Sequence, residues 1–429
     1  MPKIAMIGAG SVVFAKRLVT DILSWPELQS STITLMDLSA ERLELTKALA
    51  DRLVAQQRLP AKIKATLDRR EALSGADYVV NMIQIGGADA IRSDFEIPLR
   101  YGVDQSVADT LGPGGVLRAL RVIPVVVDIC RDIEELCPQA LLINYSNPMA
   151  MVCWAVNAAT KVRAIGFCHS VQKTSRALAD YAGIPYDEVS YWVAGINHQA
   201  WFLRFDWKRQ DAYPILRECL ENPEVFARDR VRFEIMRHFG YFVTESTRHM
   251  SEYVPYFRKR PDLIAEFAPP SARERDYTAW AKRRTEHDEE TRRQISGELP
   301  LEFDRTTEYC SYVIHSEVTD APFRVNANVR NTGLITNLPA GCIVEVPCLV
   351  DATGVHPCFV GDLPPQLAAL NRTNINVQDL AVKAALEGNR EAAYQAIQLD
   401  PLTGAVLSLR EIRAMTDEML AASRDQVTI

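Results

Sequence analysis

The stretch that decides the fold is Lys3-Ile4-Ala5-Met6-Ile7-Gly8-Ala9-Gly10-Ser11, close to the first residue. The apolar run that begins it predicts a buried β-strand, and Gly-Ala-Gly-Ser predicts a tight turn into a helix over residues 12–23. A second strand at residues 32–36 ends at Asp37. This order is typical of a dinucleotide-binding unit, in which the glycines approach the phosphates and the acidic residue binds a ribose.

The identity of the dinucleotide follows from Asp37. A carboxylate there accepts hydrogen bonds from ribose hydroxyls and repels the 2′-phosphate of NADP, so NAD is the expected cofactor. Arg42 stands only five positions later, which leaves NADP open. Val13 occupies the third glycine position of the fingerprint, so an ordinary strand-to-helix turn is the alternative interpretation of Gly8, Gly10 and Ser11.

The rest of the first half repeats this pattern of short apolar runs and amphipathic stretches. Alternating strands and helices are typical of an α/β fold with a mostly parallel sheet. The further predicted strands are residues 62–66, 78–83, 141–144, 162–166 and 190–194, with a helix at 40–55. We therefore expect a Rossmann-like NAD-binding domain over residues 1–196.

The second half predicts an α+β domain over residues 197–429, for substrate binding and oligomerisation. A strand at 343–350 and helices at 377–387 and 409–421 follow from their apolar spacing. A charged stretch at 272–293, which includes Lys282, Arg283, Arg284, Glu289 and Glu290, predicts a helix with a solvated face.

Composition excludes several classes of protein. The chain has 429 residues, 48 Lys plus Arg against 55 Asp plus Glu, a net charge of −7 and no basic stripe, so nucleic acid is not an expected partner. No apolar run approaches the roughly 20 residues of a membrane span. Nine cysteines without a Cys-x-x-Cys pair and without a secretory signal predict reduced, mostly buried thiols in a cytoplasmic protein.

Polar residues follow several of the predicted strands, where open α/β folds bind their ligands. Cys168 and His198 each follow a strand, and thiolate plus imidazole is a pair that binds metals. Soft sulfur and nitrogen ligands favour zinc or iron, whereas manganese prefers oxygen ligands. The two residues therefore do not identify the metal. A buried thiol and a core histidine are the alternative.

Three further side chains could take part in catalysis or binding. His169 has an imidazole suited to protonating a departing alkoxide, or is a polar residue at a strand end. Tyr253 is a base only if a cation lowers its pKa, and packs as an ordinary aromatic otherwise. Asn147 can bind sugar hydroxyls or begin an Asn-Pro turn.

Taken together, these motifs resemble glycoside hydrolase family four over nearly the whole chain, and within it the group acting on α-galactosides. Cys168-His169-Ser170-Val171 is the specific one, because family members acting on α-glucosides carry Cys-Asp-x-Pro there and phospho-β-glucosidases carry Cys-Asn-x-Pro. The others include Leu35-Met36-Asp37, Gln84-Ile85-Gly86-Gly87, Ala108-Asp109-Thr110-Leu111-Gly112-Pro113-Gly114-Gly115, Asn147-Pro148-Met149-Ala150-Met151, Ala194-Gly195-Ile196-Asn197-His198 and Gly240-Tyr241-Phe242-Val243-Thr244-Glu245-Ser246.

The resemblance implies an α-galactosidase that retains configuration through NAD-mediated oxidation at C3, loss of the C2 proton, elimination, water addition and re-reduction. Cys168 and His198 would hold Mn²⁺ or another divalent metal, Tyr253 would be the base and His169 the acid. The cofactor residues would be Gly8, Gly10, Ser11, Asp37, Gln84 and Gly86, and the substrate residues Asn147, Asp109 and Arg92. The resemblance also implies a homodimer or homotetramer.

Three alternatives remain open. Lys173 stands where the α-galactosidases tend to have glycine, and Arg92 could meet an anionic sugar. These two residues keep an α-galacturonidase, or another α-glycosidase of the same family, in consideration. From the residues alone, a 2-hydroxy-acid dehydrogenase or a non-catalytic NAD-sensing protein would also fit.

Overall fold

A single mixed β-sheet runs through the described part of the chain. This computed structural model describes residues 1–268, 277–427 and 429, without the side chains of 277–283. The strands are β1 (Lys3–Ile7), β2 (Thr32–Met36), β3 (Lys62–Thr66), β4 (Tyr78–Asn81), β5 (Leu141–Asn144), β6 (Arg163–Gly166), β7 (Val189–Ile196), β8 (Gln199–Trp207), β9 (Gln210–Asp211), β10 (Phe323–Arg330), β11 (Ile343–Asp351) and β12 (Gly354–Pro357).

The sheet has a parallel part and an antiparallel part. Its strand order is β3-β2-β1-β4-β5-β6-β10-β11-β7-β8-β9, with β12 paired to β11. Strands β1 to β6 are parallel, whereas β10 is antiparallel to β6 and β11, and β11 is antiparallel to β7. The parallel part confirms the predicted Rossmann-like α/β class.

Helices cover the parallel strands on both faces and build most of the second half. In the first half they are α1 (Val12–Leu23), α2 (Ala40–Gln57), α3 (Arg69–Leu73), α4 (Gly87–Arg100), α5 (Gly112–Leu136), α6 (Met149–Ala159) and α7 (Ser170–Ala182). In the second half they are α8 (Tyr213–Glu218), α9 (Pro223–Arg228), α10 (Arg230–Phe239), α11 (Thr247–Tyr253), α12 (Pro261–Phe267), α13 (Tyr277–Ser296), α14 (Tyr309–Thr319), α15 (Pro365–Glu387), α16 (Arg390–Gln398), α17 (Pro401–Val406) and α18 (Leu409–Ala422).

The two halves of the chain share their packing. One apolar cluster joins β1 and α1 to residues of β10 and β11, and a second joins α5 to α15, α16 and α18. The predicted boundary after Ile196 falls in the turn between β7 and β8, which are hydrogen-bonded neighbours. A division at that point stays a prediction. Among the described helices, none combines the length and the apolar character needed to cross a bilayer.

Strand β7 covers the predicted strand at 190–194 and lies in the same sheet as β6, separated from it by two strands. It is antiparallel to β11 and to β8. Asn197 and His198 join β7 to β8 as a two-residue hairpin, a connection that only antiparallel strands can share.

The charged stretch is helical where the structure describes it. Residues 272–276 of the prediction, and the side chains of Lys282 and Arg283, lie outside the described residues, and α13 then continues to Ser296. Glu289 and Glu290 are exposed, as expected for a solvated face. Asp288 is the exception, because it contacts the first half of the chain.

Candidate functional site

A cavity of about 760 Å³ opens where β1, β2 and β4 end. Its size falls within the range of small-molecule and cofactor sites. Of the predicted cofactor residues, Gly8, Gly10, Ser11, Asp37 and Gln84 line it. Gly86 stands one residue before the lining residue Gly87, with φ of 91°, and precedes the first turn of α4. The predicted cofactor residues therefore all lie at or directly beside this cavity.

Both glycines of the turn are required by close approach. Gly8 has φ of 89°, and a Cβ there would lie 2.9 Å from the carbonyl carbon of Met82. A Cβ on Gly10 would lie 2.6 Å from Asp37 Oδ2. The Gly10 N–H instead donates to that oxygen at 2.7 Å. The turn thus holds the Asp37 carboxylate at the cavity wall, where a dinucleotide ribose would be bound.

A second site is built around Cys168, which follows β6, and His198, in the β7–β8 turn. Cys168 Sγ lies 3.2 Å from His198 Nε2. The carboxylate of Glu245 joins them, with Oε2 3.8 Å from the sulfur and 3.7 Å from Nε2. These three donor atoms all lie within 4.8 Å of one another. Sulfur, nitrogen and oxygen donors at this spacing fit a divalent transition metal.

Glu245 was not singled out in the sequence, although it belongs to one of the motifs. It precedes α11 and has φ of 72°, which few non-glycine residues adopt. Burial raises the pKa of its carboxyl, but His198, His249 and His169 outweigh burial and hold that pKa below its usual value. Glu245 is therefore a carboxylate, which is the form a metal requires.

The thiol of Cys168 has a raised pKa, in contrast to the lowered pKa of the Glu245 carboxyl. Burial first, and then the charges of Glu245 and Glu345, raise its pKa well above the usual value. The sulfur is therefore protonated while no cation is nearby. A dication would have to displace this proton, since only the thiolate is a good ligand.

The other nitrogen of His198 faces the predicted base. His198 Nδ1 lies 3.2 Å from the phenol oxygen of Tyr253, the last residue of α11, and 3.1 Å from Thr110 Oγ1. Tyr253 is 1% exposed. Burial, followed by the charges of Asp109 and Glu252, raises its pKa well above 10. The predicted base therefore lies beside His198, and its phenol is uncharged in this structure.

Asp109 and Asn147 complete this cluster. Asn147 Nδ2 donates to Asp109 Oδ2 at 3.0 Å, and Thr110 Oγ1 donates to Asp109 Oδ1 at 2.8 Å. Burial raises the pKa of Asp109, but His249, Arg118 and His198 more than offset this and keep it below its usual value. The arrangement offers a carboxylate and an amide beside the Cys168–His198 pair.

His169 precedes the first turn of α7, with Nδ1 3.6 Å from Glu308 Oε1. Burial, and next the charge of Lys173, lower the pKa of its imidazole to about 4. At neutral pH the ring is uncharged, which differs from the sequence-based expectation of a pKa suited to proton donation. Its side chain is 40% exposed, so it is open to a ligand.

Arg92 does not join the other predicted site residues. It lies on the exposed side of α4 and forms an ion pair with Asp89, three residues earlier on the same helix. Both side chains are more than half exposed. The described contacts of Arg92 therefore connect it to its own helix.

Glu345 on β11 is a buried carboxyl that no sequence motif indicated. Its register partners are Gly195 on β7 and Asn328 on β10. Neither of its oxygens has a hydrogen-bond partner among the described residues. Burial raises its pKa to about 8, although the charge of His198 lowers it. A neutral carboxyl group thus lies near the Cys168–His198 pair.

The chain is similar to known proteins over nearly its whole length. Residues 3–184 match the family described as Family 4 glycosyl hydrolase, and residues 193–403 match its C-terminal domain. An alpha-galactosidase of Bacillus subtilis (strain 168) is 44% identical over 429 residues, which cover 99% of each chain. An alpha-galacturonidase of Thermoanaerobacterium saccharolyticum is 32% identical over 449 residues, which cover 97% of this chain and 94% of the relative.

The fold is also similar to solved structures. A 6-phospho-beta glucosidase from Thermotoga maritima, solved with manganese, NAD⁺ and glucose-6-phosphate, is 23% identical with a TM-score of 0.84, and the match covers 100% of both chains. Because only 23% of the residues are identical, this similarity shows a shared fold and does not show which reaction this chain catalyses.

Proposed function

Because the chain belongs to the family 4 glycosyl hydrolases, as the sequence motifs indicated, we propose that it hydrolyses terminal α-galactosides with retention of configuration. The reaction would use NAD and a divalent metal, for which Mn²⁺ is the first candidate. The observation that carries this proposal is His198, whose two nitrogens lie 3.2 Å from Cys168 Sγ and 3.2 Å from the Tyr253 phenol. The similarity to an alpha-galactosidase at 44% identity supports the choice of sugar.

The cofactor would be held by Gly8, Gly10, Ser11, Asp37, Gln84 and Gly86. When bound, NAD would supply reversible oxidation at C3 of the galactosyl ring, which acidifies the hydrogen on C2 and leaves no net redox change. The backbone amides at the start of α1 attract phosphate oxygens. Asp37 would bind the ribose hydroxyls.

The metal would be held by Cys168, His198 and Glu245. When bound, it would supply Lewis-acid polarisation of the oxygens on C2 and C3. The residues contribute two negative charges and a neutral imidazole once the thiol has lost its proton. Three protein donors leave further positions open. A thiol donor also requires reducing conditions, which is consistent with a cytoplasmic location.

Tyr253 is the base that removes the C2 proton. Its phenol is buried and uncharged in this structure, so it needs a hydrogen-bond donor that favours the phenolate. His198 Nδ1 is placed to be that donor, at 3.2 Å. His169 would donate a hydrogen bond to the departing glycosidic oxygen and serve as its acid. Since its pKa is about 4 in this structure, the ring has to gain a proton as substrate binds before it can give one up.

The sugar hydroxyls would be bound by Asn147 and Asp109. The amide of Asn147 already donates to the Asp109 carboxylate at 3.0 Å, so the two form a donor and acceptor surface suited to a diol. Arg92 would bind substrate only in the galacturonide alternative, and its ion pair with Asp89 would have to open first. We also propose a homodimer or homotetramer.

The test is hydrolysis of nitrophenyl α-galactoside, α-glucoside and α-galacturonide, with NAD⁺ and Mn²⁺ added or withheld in the presence of a thiol reductant. We expect release of nitrophenol from the α-galactoside only when both cofactors are present. Cleavage without cofactors and with a chelator would contradict the mechanism. Cleavage of the uronide alone would replace the galactosidase proposal with the galacturonidase. A steady change in nicotinamide absorbance with 2-hydroxy acids would indicate a dehydrogenase.

A further inference from the structure

The cavity that would bind NAD carries an ion pair that joins distant parts of the chain. Arg42 stands in the first turn of α2, and Asp288 on α13 lies 246 positions later. The guanidinium Nη1 contacts both carboxylate oxygens of Asp288, and Nε donates to the Gly10 carbonyl at 3.0 Å. The two side chains are 15% and 18% exposed.

This pair lies where a dinucleotide site distinguishes its ligands. Arg42 and Asp288 line the same cavity as Asp37 and Ser39. In Rossmann-like folds an arginine just beyond the second strand accommodates the 2′-phosphate of NADP, while an acidic residue at the strand end binds the free ribose hydroxyls of NAD. The chain carries both residue types.

We propose that Asp288 determines the cofactor specificity of this enzyme, because it neutralises Arg42 and so excludes NADP. The inference rests on the proposed function, since it concerns the NAD site. A 2′-phosphate entering the cavity would have to break the ion pair and would then face the carboxylates of Asp37 and Asp288. The neutral 2′-hydroxyl of NAD requires neither change.

Other basic or titratable side chains also line this wall. Arg69 lines the cavity but forms an ion pair with Asp132. Arg284 and His287 line it from α13, where both precede Asp288 along the helix. Arg42 is bound directly to the glycine turn, because its Nε donates to the Gly10 carbonyl.

The experiment is calorimetric titration of NAD⁺ and NADP⁺ into the full-length protein, wild type against Asp288→Asn, which reads binding rather than turnover. We expect the wild type to bind NAD⁺ more tightly than NADP⁺. The variant should gain at least about tenfold in NADP⁺ affinity, since a charge-assisted bond to Arg42 becomes available, while its NAD⁺ affinity changes by less than about threefold.

Two further variants keep the result interpretable. Asp262→Asn breaks an exposed ion pair with Arg260 and should leave both affinities unchanged. The double variant Arg42→Gln/Asp288→Asn should lose the gain in NADP⁺ affinity, and it also removes the unpaired arginine if Asp288→Asn alone is unstable. Unchanged NADP⁺ affinity in Asp288→Asn, with NAD⁺ still bound, overturns this inference alone. A wild type that binds neither dinucleotide overturns the proposed function as well.

Discussion

His198 Nδ1 lies 3.2 Å from the phenol oxygen of Tyr253, on the side of the imidazole ring opposite its contact with Cys168. A neutral imidazole carries one proton, so the use of one nitrogen as an electron-pair donor places the proton on the other. When Nε2 acts as a ligand, Nδ1 carries the hydrogen. The phenol oxygen at 3.2 Å and Thr110 Oγ1 at 3.1 Å share it as acceptors, and the bond to the phenol oxygen favours the ionised form. One ring thus connects the metal site to the base.

Replacing Tyr253 with phenylalanine tests the base. The ring keeps its packing while the hydroxyl is lost, so kcat should fall by about 10²–10⁴. Binding of NAD⁺ and of the metal should stay near wild type, as calorimetry can check. Tyr256→Phe is the matched control, because that tyrosine is 41% exposed. A Tyr253→Phe enzyme with wild-type kcat would rule the assignment out.

Thr110 is predicted to set the tautomer of His198. Its hydroxyl hydrogen goes to Asp109 Oδ1 at 2.8 Å, so only its lone pairs face His198 Nδ1 at 3.1 Å. Nδ1 must then carry the proton, and Nε2 keeps its lone pair for a metal.

Thr110→Val should therefore weaken Mn²⁺ affinity by about 10–100-fold, whereas Thr110→Ser should stay within a few fold. Competition with a chromophoric chelator measures both values. Nitrogen chemical shifts of the His198 ring should change in the valine variant alone. Equal metal affinity in the two variants would show that the hydroxyl has no such role.

Glu245→Gln tests the third metal donor. The amide keeps the shape of the side chain but removes its charge, so Mn²⁺ affinity should fall by at least about tenfold. Cys168→Ser and His198→Ala should lose more, because they remove a primary donor. Glu224→Gln, an exposed glutamate on α9, is the control for a lost surface charge. Wild-type affinity in Glu245→Gln would restrict the site to two protein ligands.

The sequence predicted the parallel part of the fold well, and for a physical reason. Strands β1, β2, β3 and β5 have the predicted bounds. Strands β1 and β5 are nearly continuous buried apolar runs that end at a glycine or a polar residue, whereas β2 and β3 largely alternate polar and apolar residues. Strands β8 and β10 were not predicted. They belong to the antiparallel part, where long-range pairing decides which segments are strands, and local pattern contains little of that information.

Some residues of the two sites could be predicted from the sequence, and others could not. Gly8, Gly10 and Asp37 could be found because a local turn imposes them. Cys168 and His198 could be found because each follows a predicted strand, and β6 and β7 belong to one sheet in which the two side chains meet. Glu245 and Glu345 are brought in by long-range packing, and no local spacing marks a carboxylate as a ligand or as buried. The Arg42–Asp288 pair spans 246 positions and was equally hidden.

Glu345 predicts how stability depends on pH in the metal-free protein. Its pKa is about 8 in the folded state against an ordinary value of 4.5. Between these values the folded state keeps a proton that the unfolded state has lost, so stability decreases as pH rises from 4.5 to 8. Glu345→Gln removes this dependence, so the variant should exceed the wild type in free energy of unfolding by an amount that grows with pH to a few kcal/mol.

Urea unfolding with a chelator at pH 5, 6.5 and 8 measures this difference in free energy of unfolding. Glu387→Gln, at an exposed residue, is the control. A difference between Glu345→Gln and wild type that stays constant across this range would mean that the carboxyl ionises normally.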